Sequence, residues 1–473
     1  MFGRAEDFGL SLIILAFVFA LAALVRRWSR PLRSLFIPTA VIGGFLMLAL
    51  GPEGVGRVSG GDGLFSPETF GVWKALPGLL INVMCASLLL GERLPPLRKL
   101  WSISGSHVIA GAAMSGGQFA IAGIITMLVL EPVFGFSNKA GALIEMSFAG
   151  GHGTLAGLTP VLIKYDARDL LEVGLGLATI GMVTGIVVGT ILVNYAIKSP
   201  TISVARQTPP SPDEDLDIDH HLPGPDDEPL DEWKGMTQVT ASTVFLGVSI
   251  GVGIVLLAIF RVAFSAMGSN FFDMFPLFPF TIVGGVLVQV GAERFHFEWA
   301  VNRRAVEGLG GLATDGIVIC AIGTLSLSAL GANIGPLIIL AAASVAWSVF
   351  MVLVIARRLF PRNWFEHAIA EFGESQGNVA TGFVMVDMVD PARHTDVVRG
   401  YSYRQLITRP LIGGGFITAL AVPLIAAWGL PIFTLVTAVA SLLLILWGIR
   451  RTSARTAARS NARAARPSHA VNR

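Results

Sequence analysis

Long apolar runs separated by short polar joints dominate the chain. Leu10–Val25, Val239–Phe260 and Ile432–Ile449 each run without a single charged residue. A helix needs about 20 mostly apolar residues to cross the hydrocarbon core of a bilayer. Transmembrane β-strands alternate in polarity over about ten residues, and these runs do not alternate. The pattern predicts an all-α polytopic membrane protein. Its eleven expected spans lie at 8–25, 35–51, 72–91, 105–130, 171–197, 237–260, 276–291, 309–330, 334–356, 405–427 and 430–449. Two further stretches, about 141–163 and 366–389, are apolar but interrupted by Gly, Ser, Thr and Asn, with internal charge. Each is read as re-entrant, dipping into the membrane and returning to the same side.

Composition supports this reading. The 473 residues are 53% hydrophobic and 14% charged, against about a quarter charged in soluble domains. Cys85 and Cys320 fall inside apolar runs and read as packing residues, not as a disulfide. The first run is followed by Arg26, Arg27, Arg30 and Arg33, which does not resemble a signal-peptide cleavage site. Positive charge favours the cytoplasmic side. With the N-terminus outside, 27 of the 34 Lys and Arg residues fall on the cytoplasmic side and 7 outside. The expected location is a bacterial inner membrane, with the C-terminus cytoplasmic. The acidic, Pro-rich stretch within 198–236 reads as a disordered cytoplasmic linker, and His220 and His221 as solvated residues within it. The segment 450–473 has seven Arg and no acid. It reads as a loose tail near anionic headgroups.

Three short stretches recur in the same order. FIPTAVIGG (36–44) matches LFPFTIVGG (277–285), pairing Pro38 with Pro279 and Gly43-Gly44 with Gly284-Gly285. NVMCAS (82–87) matches IVICAI (317–322), and FAGGHGTLAG (148–157) matches FGESQGNVAT (372–381). The expected organisation is a first repeat over 1–197, the linker, a second repeat over 237–427, an extra helix at 428–449 and the tail. Each repeat has five spans and one re-entrant loop. Five is odd, so the second repeat enters from the opposite face, as in many secondary transporters.

The second loop contains Gly373-Glu374-Ser375-Gln376-Gly377, which fits the nucleophile elbow G-x-S-x-G. That motif requires a strand–turn–helix setting, and no α/β pattern surrounds it. Gly247-Val-Ser-Ile-Gly251 fits the same motif in the middle of an apolar run. A hydrolase using Ser375 is therefore disfavoured, and the chain is expected not to be an enzyme. Irregular backbone inside a membrane frees N–H and C=O groups for ligands. Gly150, Gly151, Gly153, Gly373 and Gly377 permit close backbone approach, and a side chain at Gly153 is expected to block it. Thr154, Ser375, Gln376 and Asn378 offer neutral polar groups. His152 could orient a carboxylate or carry a proton. Glu145, Glu374 and Asp315 are acids at or near membrane depth, which marks them as functional candidates. Asp315, Asn378 and Thr154 are the candidate Na⁺ ligands. Asp390 reads as solvated or capping.

The Phe148-Ala149-Gly150-Gly151-His152-Gly153-Thr154 stretch resembles the first re-entrant loop of the bacterial sodium/glutamate symporter family, which has a Ser-Gly-Gly-His-Gly-Thr pattern. The Pro38 and Pro279 stretches and the linker between two halves are similar too. The resemblance covers most of the chain, excluding the last helix and the basic tail. The second loop departs from the family's Gly-rich, acid-free pattern at Glu374, Gln376 and Asn378. The resemblance implies Na⁺-coupled symport of glutamate or a related small carboxylate by alternating access, with Na⁺ as coupling ion and no organic cofactor. A homodimer is compatible with it, the other partner being the lipid bilayer, and no nucleic acid is expected. The competing readings are a proton-coupled carrier of another small anion, using Glu374 or His152, and a channel.

Overall fold

The computed structural model describes residues 5–30, 32, 38–61, 63–92, 96–199, 202, 237–268, 272, 275–297, 300–391 and 394–464. The expected linker with His220 and His221, apart from Lys198, Ser199 and Ile202, and residues 465–473 lie outside these. The described residues form helices joined by short connections. In order they are α1 (Ala5–Trp28), α2 (Thr39–Leu50), α3 (Pro67–Ser87), α4 (Leu97–Ile125), α5 (Leu143–Ser147), α6 (Gly151–Lys164), α7 (Asp169–Lys198), α8 (Gln238–Ala266), α9 (Phe278–Arg294), α10 (Arg303–Gly323), α11 (Ile334–Phe350), α12 (Trp364–Gln376), α13 (Val379–Val389), α14 (Val397–Thr408), α15 (Phe416–Trp428) and α16 (Leu430–Ala464).

Nine helical segments among the described residues are long and apolar enough to cross a membrane. They correspond to nine of the eleven expected spans. The expected span 276–291 is present as α9, 17 residues long. The expected span 405–427 is not one helix. It is divided into α14 and α15, with Arg409–Gly415 non-helical between them. Gly413 and Gly414 there have φ of 65° and 99°, a left-handed backbone that glycine adopts without steric penalty. The tail also differs from expectation, because α16 continues as helix to Ala464. At its exit Arg451 donates to the Trp101 carbonyl and stacks on the Trp101 ring, itself stacked on Trp447. Aromatic and basic residues of this kind favour a membrane interface.

Helix starts follow local chemistry. Ser66 caps α3, with its hydroxyl accepting from the Thr69 N–H, and Pro67 occupies the first helical position. Thr237 and Asn302 cap α8 and α10 in the same way. The central contacts run between elements distant in sequence. α3 packs on α10, and each also receives a glycine-bearing helix. Gly44 of α2 lies against Ile322 of α10, where an added methyl carbon would stand 2.6 Å from Ile322 Cβ. Gly285 of α9 lies against α3, where a methyl would stand 2.6 Å from the Ala86 carbonyl oxygen. Small residues let helices approach closely in membranes.

Candidate functional site

Both interrupted stretches form a helix, a break and a second helix. In the first, α5 ends at Ser147, and the chain turns through Phe148–Gly150 into α6. Gly151 has φ of 73°. In the second, α12 ends at Gln376, and Gly377-Asn378 lead into α13. Asn378 caps α13, its side-chain oxygen accepting from the Thr381 N–H at 3.0 Å and the Thr381 hydroxyl at 3.3 Å. α12 and α13 fold back on each other. A methyl on Gly373 would stand 2.7 Å from the Thr381 carbonyl oxygen, so Gly373 is a packing position of this hairpin. The 13 residues of α12 span ~20 Å at 1.5 Å per residue, against a hydrocarbon core about 30 Å thick.

The breaks converge. A methyl on Gly151 would stand 4.0 Å from the Gly377 carbonyl oxygen. Glycines 181, 185 and 189 of α7 form a stripe along the second hairpin, against the Gln376 carbonyl and Phe148, the Gln376 side chain, and Met385 with Phe372. The break between α14 and α15 adjoins the first loop. The Gly413 N–H donates to Glu145 at 2.9 Å, and the Thr418 hydroxyl donates to the same oxygen at 2.8 Å. Gly414 abuts the Thr154 hydroxyl. Glu145 is fully buried, and its carboxyl ties this third break to the first.

The expected site residues divide accordingly. Gly150, Gly151 and Gly377 line the breaks. Thr154 donates back to the Gly150 carbonyl at 2.8 Å. His152 is buried, its Nε2 bonded to the Thr179 hydroxyl at 2.9 Å. It faces an almost wholly apolar cavity of about 270 Å³ between α2 and α7. Gly153 faces Ile317 of α10, and a methyl there would meet it at an ordinary 3.4 Å. The packing around Gly153 therefore does not require glycine, whereas Gly181 lies at a close approach to the Gln376 backbone. Asp315 lies two residues before Ile317, half-buried on α10. Ser375 donates to the Phe372 carbonyl at 3.0 Å and contacts the Ser348 hydroxyl at 3.3 Å. It lies in the last turn of a helix, which is not the setting of a nucleophile elbow.

Ser375 and Gln376 belong to a neutral cluster with α4 and α11. Gln118 donates to the Ser375 carbonyl at 2.9 Å, and Gln376 donates to the Ser348 hydroxyl at 2.7 Å and the Ser344 hydroxyl at 3.3 Å. The amide oxygens of both Gln118 and Gln376 are buried with no hydrogen-bond partner among the described residues. Buried acceptors without donors are costly, and such oxygens suit a hard cation. Three oxygen-bearing residues here, Gln118, Ser344 and Ser348, were not apparent from sequence.

Glu374 does not face the breaks' meeting point. It pairs with Arg404 of α14 and accepts from Gln405 at 2.7 Å. Asp390 is buried and caps the following turn, accepting from the His394 and Thr395 N–H groups, both at 2.8 Å. Arg409 is the other cation near the breaks. It is half-buried at the start of the α14–α15 break, close enough to Cys85 to act on it electrostatically. Among the described residues, no hydrogen bond or ion pair engages its guanidinium. The 12 residues of α14 put it ~18 Å from that helix's start.

A sequence model of the family described as sodium/glutamate symporter matches residues 84–373, which hold the first break and most of the second hairpin's first arm. The chain belongs to the sodium/glutamate symporter family. The sodium/glutamate symporters of Escherichia coli (strain K12) and Shigella flexneri are each 23% identical to it over 340 residues, covering 72% of this chain and 78% of theirs. Within this symporter family fold, the matched region supplies Gln118, His152, Ser344 and Ser348, while Gln376, Arg404 and Arg409 lie beyond it.

Proposed function

We propose that the protein is a secondary transporter carrying glutamate, or a closely related small dicarboxylate, together with Na⁺. The observation that carries this is the convergence of three backbone breaks, with Arg409, whose guanidinium has no partner among the described residues, in one of them, in a chain of the sodium/glutamate symporter family. The guanidinium is shaped to take a carboxylate in bidentate fashion. Free N–H groups of the breaks suit the second carboxylate. The Gln118–Ser344–Ser348–Gln376 cluster holds Na⁺ with neutral oxygens, and its filling pins the tip of α12. In this reading the two halves are inverted repeats. The reciprocal seating of Gly44 on α10 and Gly285 on α3 supports that, as do α12 and α13 lying against α7 while the first loop meets the α14–α15 break. The face carrying 360–363 and 390–396 is cytoplasmic, on the charge asymmetry.

The test is uptake of labelled glutamate into proteoliposomes containing the full chain. An inward Na⁺ gradient should drive accumulation, and Gln376→Leu should raise the Na⁺ concentration for half-maximal uptake at least several-fold. Accumulation that ignores Na⁺, or selectivity for a cationic or neutral solute, would overturn the proposal.

A further inference from the structure

One buried array of charge is not used by that reading. Residues His367, Glu371 and Glu374 recur at four and three residues along α12, so they share one face. Opposite them stand His107 of α4 and Arg404 of α14. His107 Nδ1 lies 2.7 Å from Glu371 Oε1, and His107 Nε2 lies 2.7 Å from His367 Nδ1. His367 Nε2 lies 3.6 Å from Asp396 at the α14 start, a gap that one water can bridge. The side chains of His107 and Glu371 are 2% and 3% exposed, whereas that of Asp396 is 85% exposed. Phe360 lies parallel to the His367 ring at 4.8 Å and fixes its orientation. At the inner end, Arg404 stands 3.4 Å from Glu371 and pairs with Glu374. Among the described residues, Glu371 Oε2 and Arg404 Nε have no hydrogen-bond partner.

The hydrogen bonds are directional. A bond between two imidazoles requires one to present N–H and the other a lone pair. Both nitrogens of His107 lie in the series, so a single proton arriving at one end can be passed on. With both carboxylates ionised and both imidazoles neutral, the array holds two negative charges against the one positive charge of Arg404. An uncompensated buried charge is costly, and one proton removes it.

We propose that Glu371 is a proton-binding site, loaded from the face bearing Asp396 through His367 and His107, and that its occupation decides whether Arg404 is shared between Glu371 and Glu374 or held by Glu374 alone. The transfer balances. A proton from solvent binds His367 Nε2, and the Nδ1 proton of His367 passes to His107 Nε2. The Nδ1 proton of His107 then passes to Glu371 Oε1. Both imidazoles end neutral, in the opposite tautomer, and the carboxylate becomes a carboxylic acid. Unloading reverses the order. Asp396 at the entrance is exposed, so its carboxylate is ionised at neutral pH and attracts protons. The other polar groups around Glu371 are Tyr401, whose ring lies 6.1 Å from His107 and 5.8 Å from the Arg404 guanidinium, and Gln405 on Glu374. Arg362 faces Asp396. Glu374 and Gln376 lie on the same last turns of α12, so a rearrangement at Arg404 is carried to the ion cluster through that helix. This rests on the transport reading for its purpose, though not for its test.

The measurement is pH-difference infrared spectroscopy of the full chain in lipid, which needs no substrate. A carboxylic-acid carbonyl band should titrate in the wild type, vanish in Glu371→Gln and persist in Glu374→Gln. After a pH jump its appearance should be at least tenfold slower in His107→Gln, which keeps the charges of the array and tests the path even where Glu371→Gln fails to fold. A band retained in Glu371→Gln, no titrating band, or an unchanged rate in His107→Gln would overturn the inference. Uptake assays then separate the two readings. Na⁺-driven glutamate uptake without the band leaves transport standing and the proton site refuted; the band without such uptake does the reverse.

Discussion

A methyl group on Gly181 would press within 2.6 Å of the Gln376 carbonyl oxygen and 2.8 Å of Phe148, so one added carbon strikes both loops at once. Overpacking of this kind costs about 1–3 kcal/mol. Gly181→Ala should therefore abolish most uptake, while Gly153→Ala, with its methyl at 3.4 Å from Ile317, should retain most of it. Equal uptake by the two variants would contradict the convergence of the breaks. Arg409→Gln should raise the glutamate KM by about 10- to 100-fold, since a charged hydrogen bond contributes about 1.5–3 kcal/mol and 1.4 kcal/mol is tenfold. Titration of counterflow rates against glutamate concentration checks this; an unchanged KM removes Arg409 from the site. Much of the first loop was legible at this scale, because three glycines around His152 in an apolar run have few structural uses. The stripe Gly181, Gly185, Gly189 was not read from the sequence, although it recurs every four residues; only the fold sets it against the second hairpin. The polar cluster was less legible than the first loop. Gln118, Ser344 and Ser348 are single polar residues within apolar helices, and only the fold brings them to Gln376. His367, Glu371 and Glu374 announce a shared helical face, but their partners His107 and Arg404 lie 260 and 30 residues away.

Elements depend on each other through close glycine contacts more than through their own propensities. Glycine costs a helix about 1 kcal/mol relative to alanine, so an unneeded helical glycine is a site for stabilisation. Gly247 has open space around it, whereas Gly285 faces the Ala86 carbonyl. Gly247→Ala should leave the melting temperature of the purified protein unchanged or slightly raised, and Gly285→Ala should lower it by several degrees, as scored by thermal loss of the monodisperse species. The reverse order would mean that α9 and α3 are not held by backbone approach. Hydropathy located helices well, since length and polarity of a run suffice for that. It failed at 405–427, where the apolar content of Leu411–Gly415 hides three consecutive glycines that release the backbone. It failed again after 449, because arginine is a good helix former and α16 simply continues.

At the scale of the whole molecule, the charge distribution sets the orientation. A cysteine introduced at Ser59, between α2 and α3, should react with an impermeant maleimide on intact cells, and one at Arg362, between α11 and α12, only after permeabilisation. Cys85 and Cys320 are both buried, so native thiols give little background. Labelling at position 362 from outside would invert the topology. The reciprocal seating of α2 on α10 and of α9 on α3 bears also on how the protein is made. When α2 and α3 leave the ribosome, the helices that cover these faces are still to be translated, as Gly285 and Ile322 come some 200 to 280 residues later. The first half must wait in lipid with its future interface open, exposed to quality-control proteases, and it becomes resistant only when the second half arrives. Two genes, encoding 1–200 and 237–473, should yield a stable complex when expressed together, and each product alone should be rapidly degraded.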